Sequence, residues 1–317
     1  MKVLIPQDIT EAGKLYLLDK GYEIKMGSAS DEETISKEVV DCDAILVRTA
    51  KITRKIMEAG KCLKVIARHG VGVDTIDVQA ATDLAIQVTN GPLSNFESVA
   101  EHTVAFILGC GHNLIEMDKN VRNNNWEARD LIQLSEINGK VLGLIGLGKI
   151  GLSVAQKSAL GLGMKVIGYS RHAKKEDVPE YLELADTMES VFEKADFVSL
   201  HIPATNETRN SIDMKYFKLM KKSAFLINTA RGEIINEKDL YKVLVNKTIK
   251  GAALDVLSSE PPEKDNPLLS LDNIIFSPHY GAHSKETFDR MGLHAAIGID
   301  EVLCGKKPTW PVNQLNF

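Results

Sequence analysis

Three residues stand out by type and setting: Arg231 in Asn228-Thr229-Ala230-Arg231-Gly232, Glu260 in Glu260-Pro261-Pro262, and His279 in Ser277-Pro278-His279. Each follows a short apolar run that reads as a buried strand: Ala224–Asn228, Gly251–Leu254 and Ile274–Phe276. A guanidinium is always charged and grips a carboxylate through two parallel hydrogen bonds. An imidazole titrates near neutrality and can move a hydroxyl proton. A carboxylate beside it fixes its orientation and favours its protonated form. Taken singly, an arginine in a turn is usually a solvated charge and a lone histidine a satisfied polar group. Their joint placement after neighbouring strands favours acid–base chemistry on a carboxylate-bearing substrate.

A further strand, Val141–Ile145, runs into Gly146-Leu147-Gly148-Lys149-Ile150-Gly151. This is G-x-G-x-x-G between a strand and a helical pattern. The first glycine permits a tight turn, the second lets the backbone approach a pyrophosphate, and the third allows close helix–strand packing. The helix N-terminus then offers N–H groups to the anion. Gly146, Gly148, Lys149, Ile150 and Gly151 are therefore expected to hold a dinucleotide. The carboxylate that would hold a ribose 2′-hydroxyl about 20 residues on is missing, because Tyr169 is followed by Ser170-Arg171-His172. Ser170 can hydrogen-bond a 2′-phosphate and Arg171 can pair with it. The expected cofactor is NADP(H) in preference to NAD(H), which stays possible. A nicotinamide beside the Arg–Glu–His set would make the chemistry a hydride transfer between that ring and a 2-oxo or 2-hydroxy acid.

Alternating strands and helices must position these groups. In the first third, Val3–Ile5, Tyr22–Met26, Ala44–Val47, Val65–Ala67 and Ala85–Val88 read as buried strands. Ser30, three residues before Glu33, suggests a capping box for the helix that follows. One long helical segment spans about Ser98 to Arg122, with Gly109 and Gly111 inside it, and Asn123-Asn124-Asn125 ends it. A second block has six strand candidates, adding Lys165–Tyr169 and Phe197–Leu200 to the four above. Asn236 is a candidate cap for the helix Glu237–Val245, and a last helix covers about Lys285–Leu303. The pattern is α/β with a doubly wound parallel sheet, in which ligands bind at the carboxyl ends of the strands. There lie His201, Pro203 and Thr208 after one strand, Thr229 and Ala230 after the next, then Asp255, and finally Gly281. All are candidate cofactor contacts.

The 317 residues are 44% hydrophobic and 26% charged, which is ordinary for a globular protein of about two domains. The net charge of −5 argues against a nucleic-acid partner. No apolar run reaches the length of a membrane span, and the start lacks a signal-peptide pattern. Cys42, Cys62, Cys110 and Cys304 are far apart and form no C-x-x-C pair, which fits reduced thiols and a cytoplasmic location. His279 and His283 have a spacing seen in zinc sites, but no third ligand is evident, so no metal is expected.

The chain resembles the D-isomer-specific 2-hydroxyacid dehydrogenases over essentially its whole length, and within them the catalytic core of the phosphoglycerate dehydrogenases. The resemblance is carried by Ala67-Arg68-His69-Gly70-Val71-Gly72-Val73-Asp74, Gly143–Gly151, Asn228–Gly232, Gly251–Val256, Glu260–Pro262 and Ser277–His279. It implies a Rossmann-type dinucleotide-binding domain, residues 98–286, inserted into a smaller flavodoxin-like substrate-binding domain made of residues 1–97 and 287–317. By resemblance Arg231 binds substrate, Glu260 orients, and His279 is the general acid/base. Thr229 and Asp255 would lie near the nicotinamide, Asp255 by its carboxamide. Val71 and Gly72 would receive the substrate carboxylate on their backbone, and Arg48 would lie near the substrate's far end. A homodimer is implied, with the helix after residue 98 near its interface.

Two substrate readings follow. Ser170-Arg171 is similar to NADP-linked glyoxylate/hydroxypyruvate reductases, which favours a small 2-oxo acid reduced to its D-2-hydroxy acid. Arg48, Lys51 and Arg129 suit a phosphate and support 3-phosphohydroxypyruvate as the alternative. Such an enzyme would be a phosphoglycerate dehydrogenase without a regulatory domain, since the chain stops at Phe317. Tyr280 and His283 stand where the family often has smaller residues. Some relatives are transcriptional corepressors that read the nucleotide as a signal; an intact Arg–Glu–His set argues against that role here.

Overall fold

The computed structural model describes residues 1–315, which divide into two compact units. Among these, one comprises residues 1–96 and 282–315, the other Glu97–Gly281. The family resemblance puts the return to the first unit at residue 287. The division falls at 281/282 instead, because Ser284 caps the last helix by accepting the N–H of Thr287, and cap and helix travel together.

The first unit is built on five parallel strands: β1 (Lys2–Ile5), β2 (Glu23–Met26), β3 (Ala44–Val47), β4 (Val65–Arg68) and β5 (Gln87–Thr89). Their order is β2-β1-β3-β4-β5, the flavodoxin-like arrangement. β3 is buried along its whole length, as expected of a strand covered on both faces. Val3, Ile5, Ala44, Leu46, Val65 and Ala67 face one layer, which the helix Lys285–Leu303 closes with Ala295, Ala296, Ile299 and Val302. Leu4, Ile45, Val47, Ile66 and Val88 face the other, packed on Ile35, Ile56 and Met57. The tail returns to the edge of β5, where Val312 donates to the Val88 carbonyl at 2.8 Å and Asn313 Oδ1 accepts the Val88 N–H at 2.7 Å. The helix Glu32–Glu38 is capped by Asp31, which accepts from Thr34, rather than by Ser30. A carboxylate one residue nearer the helix serves the same orphan N–H groups.

The second unit has seven parallel strands, one more than the sequence pattern suggests: β6 (Val141–Ile145), β7 (Lys165–Tyr169), β8 (Leu182–Leu184), β9 (Phe197–Leu200), β10 (Phe225–Asn228), β11 (Gly251–Leu254) and β12 (Ile274–Phe276). Their order is β12-β11-β10-β9-β6-β7-β8. The additional strand, β8, is a three-residue edge strand with an exposed Glu183 at its centre, too short to show a pattern. The order reverses between β6 and β9, so the crevice beyond those two strands is the expected nucleotide position. Apolar layers cover both faces, one around Phe192, Phe217 and Leu226, the other around Ile107, Leu144 and Ile227.

The long segment after residue 98 is two helices, Phe96–Gly111 and Leu114–Arg122, broken at Asn113 with φ +49°. Asparagine tolerates this left-handed conformation. The returning chain takes up the freed carbonyl of Gly111 through the N–H of Ser135 at 2.7 Å. Asn236 caps Glu237–Val245 by accepting the N–H of Asp239. Among the described residues no helix is long and apolar enough to cross a membrane.

Candidate active site

The candidate catalytic residues all belong to the second unit. β10 ends at Asn228, which is fully buried, and its side chain shapes the next turn. Asn228 Oδ1 accepts the N–H of Ala230 at 3.0 Å, and its Nδ2 donates to the carbonyl of Arg231 at 2.9 Å. Arg231 thus leaves the strand end at a fixed angle, with Nη1 donating to the Ala230 carbonyl at 2.7 Å. Thr229 is buried, its hydroxyl 2.8 Å from that of Thr103.

β11 ends one residue before Asp255, whose residue exposure is 3%. Its carboxylate accepts the hydroxyl of Ser277 and the backbone N–H groups of Tyr280 at 2.6 Å and Gly281 at 2.9 Å. His102, from the helix Phe96–Gly111, brings Nε2 to 2.8 Å from Ser277 Oγ and 3.5 Å from Asp255 Oδ1. Burial pushes the Asp255 carboxyl up, but the hydrogen bonds from His102, Ser277, Tyr280 and Gly281 outweigh it and hold the group at about 2. Asp255 is thus an anion tying down the loop after β12.

That loop carries His279, which adopts φ +54°. Its Nδ1 lies 2.7 Å from Glu260 Oε2, with both side chains partly open to solvent. The other oxygen of Glu260 accepts the N–H of Leu257 at 3.2 Å, which steadies the carboxylate. With Nδ1 engaged by Glu260, Nε2 is the atom through which the imidazole can pass a proton outward.

The glycine-rich turn fits a dinucleotide. Gly146 has φ +101°, and a Cβ there would stand 2.4 Å from the carbonyl oxygen of His201. A Cβ on Gly151 would lie 2.2 Å from the carbonyl oxygen of Gly146, so only glycine lets this helix approach the turn. Gly148 caps the helix Lys149–Gln156 without a side-chain bond, leaving the N–H groups of Lys149 and Ile150 to an anion. A Cβ at Gly148 would meet open space. Desolvation holds His201 down at about 4, so it is neutral at pH 7, and its Nε2 is 2.9 Å from Ser199 Oγ. Thr208 donates its hydroxyl to the Pro203 carbonyl at 2.6 Å. Gly281 accepts from Ser98 Oγ at 2.7 Å. Ser170 and Arg171 follow β7, and Arg171 Nη1 is 2.6 Å from Glu207 Oε2.

The candidate substrate residues of the first unit sit in its own strand ends. The carbonyl of Val71 accepts from Asn90 Nδ2 at 2.8 Å, and that of Gly72 accepts from Arg68 Nε at 2.7 Å. Arg48 donates to the Asp8 carbonyl at 2.9 Å and stands over the Phe288 ring at 5.3 Å. Lys51 is exposed there. Arg129, in the second unit, is exposed beside Asp130 at 3.4 Å. Among the described residues no three His, Cys, Asp or Glu side chains are grouped to hold a metal ion.

Sequence reasoning did not identify His102, Glu207 or the anchoring part played by Ser277. His102 lies 175 positions from Ser277 and Glu207 lies 36 from Arg171, and no local pattern signals either pairing.

Comparison with known proteins points to one family. Residues 104–281 match the family model described as D-isomer specific 2-hydroxyacid dehydrogenase, NAD binding domain. The chain is 39% identical to D-3-phosphoglycerate dehydrogenase of Methanocaldococcus jannaschii, an alignment covering 100% of this chain but 60% of that protein. It is 40% identical to hydroxypyruvate reductase of Thermotoga maritima, over 83% of this chain and 85% of that one. Among solved structures, an NADPH-dependent glyoxylate/hydroxypyruvate reductase from Sinorhizobium meliloti in complex with citrate superposes with a TM-score of 0.87 at 26% identity, covering 98% of this chain and 97% of that one.

Proposed function

The chain belongs to the D-isomer-specific 2-hydroxyacid dehydrogenase family, and from that premise we propose that it reduces a small 2-oxo acid to the D-2-hydroxy acid with NADPH. The observation that carries this reading is the 2.7 Å contact between Glu260 and His279, on loops that follow neighbouring parallel strands.

When bound, the nicotinamide supplies the hydride that reaches C2. The protein's own residues do the rest. Arg231 holds the substrate carboxylate and draws charge toward the C2 oxygen. His279 donates its Nε2 proton to that oxygen as it becomes a hydroxyl. Glu260 keeps the ring oriented through Nδ1 and stabilises its charged form before transfer. In the first unit, the family resemblance makes Val71 and Gly72, through their backbone N–H groups, and Arg48 the candidate substrate contacts. Asp255 holds the loop that carries His279. Ser170 and Arg171 take the 2′-phosphate, which sets NADPH above NADH. The turn from Gly146 to Gly151 receives the pyrophosphate, with His201, Pro203, Thr208, Thr229, Ala230 and Gly281 around the nucleotide.

Steady-state assays with glyoxylate, hydroxypyruvate, pyruvate and 3-phosphohydroxypyruvate, each with NADH and NADPH, test the proposal. Highest kcat/KM for glyoxylate or hydroxypyruvate with NADPH is expected. Cofactor oxidation with none of the four overturns it. The 39% identity to a phosphoglycerate dehydrogenase favours a second reading, in which the phosphorylated substrate is best and Arg48→Ala weakens it selectively.

The helices Leu114–Arg122 and Ala128–Leu131 and their neighbours expose Leu114, Ile115, Val121, Trp126, Leu131 and Leu134. So much apolar surface in one segment supports a homodimer formed there. A monomeric mass in sedimentation equilibrium would refute it. We place the enzyme in the cytoplasm, in keeping with its four unpaired cysteines.

A further inference from the structure

The preference for NADPH rests on Arg171, and Arg171 has a partner of opposite charge. Its Nη1 is 2.6 Å from Glu207 Oε2, and both side chains are solvent-exposed. Glu207 comes from the loop after β9, and Arg171 from the turn after β7. β7 and β9 are the two strands that flank β6 in the sheet, so their ends bracket the glycine-rich turn.

The loop that presents Glu207 is internally fixed. Thr208 Oγ1 accepts the N–H of Thr205 at 2.7 Å and donates to the Pro203 carbonyl at 2.6 Å. Thr205 Oγ1 accepts the N–H groups of Glu207 and Thr208, each at 3.3 Å. The carboxylate of Glu207 therefore starts from a defined point beside Arg171.

We propose that Glu207 is a specificity-determining residue that limits the enzyme's preference for NADPH by competing with the 2′-phosphate for Arg171. A 2′-phosphate must displace or share the guanidinium, and it must do so beside a like charge. A ribose 2′-hydroxyl meets neither difficulty, since a carboxylate is an acceptor for it. Glu207 thus weakens NADPH binding and leaves NADH binding nearly unchanged. An exposed ion pair is worth little by itself, so the effect is a matter of several-fold and is screened by salt. This inference rests on the reading that Arg171 receives the 2′-phosphate.

The test is fluorescence titration of the full chain with NADPH and with NADH, without substrate, for the wild type, Glu207→Gln, Arg171→Ala and the double variant. Glu207→Gln should tighten NADPH by roughly 3- to 10-fold at low salt and by less at high salt. It should change NADH by less than about 2-fold, the neutral amide leaving the 2′-hydroxyl contact nearly intact. The gain should vanish when Arg171 is also replaced. If Arg171→Ala weakens NADPH but Glu207→Gln leaves it unchanged, the competition is refuted while the cofactor reading stands. If Arg171→Ala has no effect on NADPH, the cofactor reading fails and takes the inference with it. If Glu207→Gln weakens NADH without tightening NADPH, Glu207 is a ribose ligand and the inference is overturned.

Discussion

Asp255 grips the chain on both sides of His279: its carbonyl accepts the His279 N–H at 2.7 Å, and its carboxylate accepts the Ser277 hydroxyl before it and the N–H groups of Tyr280 and Gly281 after it. The histidine sits at φ +54°, a conformation that costs a non-glycine residue about 1–2 kcal/mol. Strain held in place beside a reactive group is a common arrangement at catalytic loops.

The charge on Asp255 should be visible in stability. Its folded value, about 2, lies below the ordinary value of 3.8. Its contribution is therefore fully present above about pH 4 and is lost as pH falls through about 2. Asp255→Asn should be less stable than wild type by about 2 kcal/mol near pH 7, and the gap should close toward pH 2. Urea unfolding across that range checks this; a pH-independent gap would show that the carboxylate's charge is not what matters.

His279→Ala should lower kcat by roughly 10²- to 10⁴-fold while leaving the dissociation constant for NADPH unaltered. Single-turnover kinetics and nucleotide titration separate the two. Near-normal turnover would remove His279 from proton transfer.

Glu260→Gln keeps the shape of the side chain and removes the charge facing His279 Nδ1. A fall in kcat of roughly 10- to 10⁴-fold is expected, with no loss of nucleotide affinity. An unchanged kcat would make the 2.7 Å contact incidental to turnover.

Gly151→Ala should weaken NADPH binding by roughly tenfold or more, because its methyl would be forced against the Gly146 carbonyl, 2.2 Å away, and would push the turn out of shape. Calorimetric titration measures this directly. Wild-type affinity would mean that the turn does not hold the pyrophosphate.

His69, in the first unit, is 4% exposed, and its Nε2 has no hydrogen-bond partner among the described residues. Burial, with Arg48 and Arg68 nearby, pushes its pKa down to about 4. The unfolded chain takes up a proton near pH 6.5 that the folded one refuses, so His69 lowers stability progressively as pH falls from 6.5 to about 4. Relative to wild type, His69→Asn should gain up to about 3 kcal/mol across that interval. Parallel stability curves for the two proteins would contradict the assignment.

The strands of both sheets were legible because burial on two faces writes continuous apolar runs such as Ala44–Val47 and Phe197–Leu200. β8 was not, since Leu-Glu-Leu at an edge carries almost no pattern. The break at Asn113 was hidden because the contact that accommodates it, the Ser135 N–H on the Gly111 carbonyl, is tertiary. At the candidate site, Arg231, Glu260 and His279 could be singled out because each follows the carboxyl end of a strand. The anchoring of Asp255 by His102 and Ser277, and the pairing of Arg171 with Glu207, depend on distances between remote segments, and only the fold supplies those.

The first unit is made from both ends of the chain, and one whole layer of its sheet is completed by the helix Lys285–Leu303. During synthesis the opening 96 residues leave the ribosome long before that helix exists. At about 5–20 residues per second, the nascent sheet waits roughly 10–40 s with an oily face uncovered. The uninterrupted second unit can mature in that interval, so the birth order of the molecule runs from the middle outward, and the early fragment is the stage at which a chaperone has most to shield.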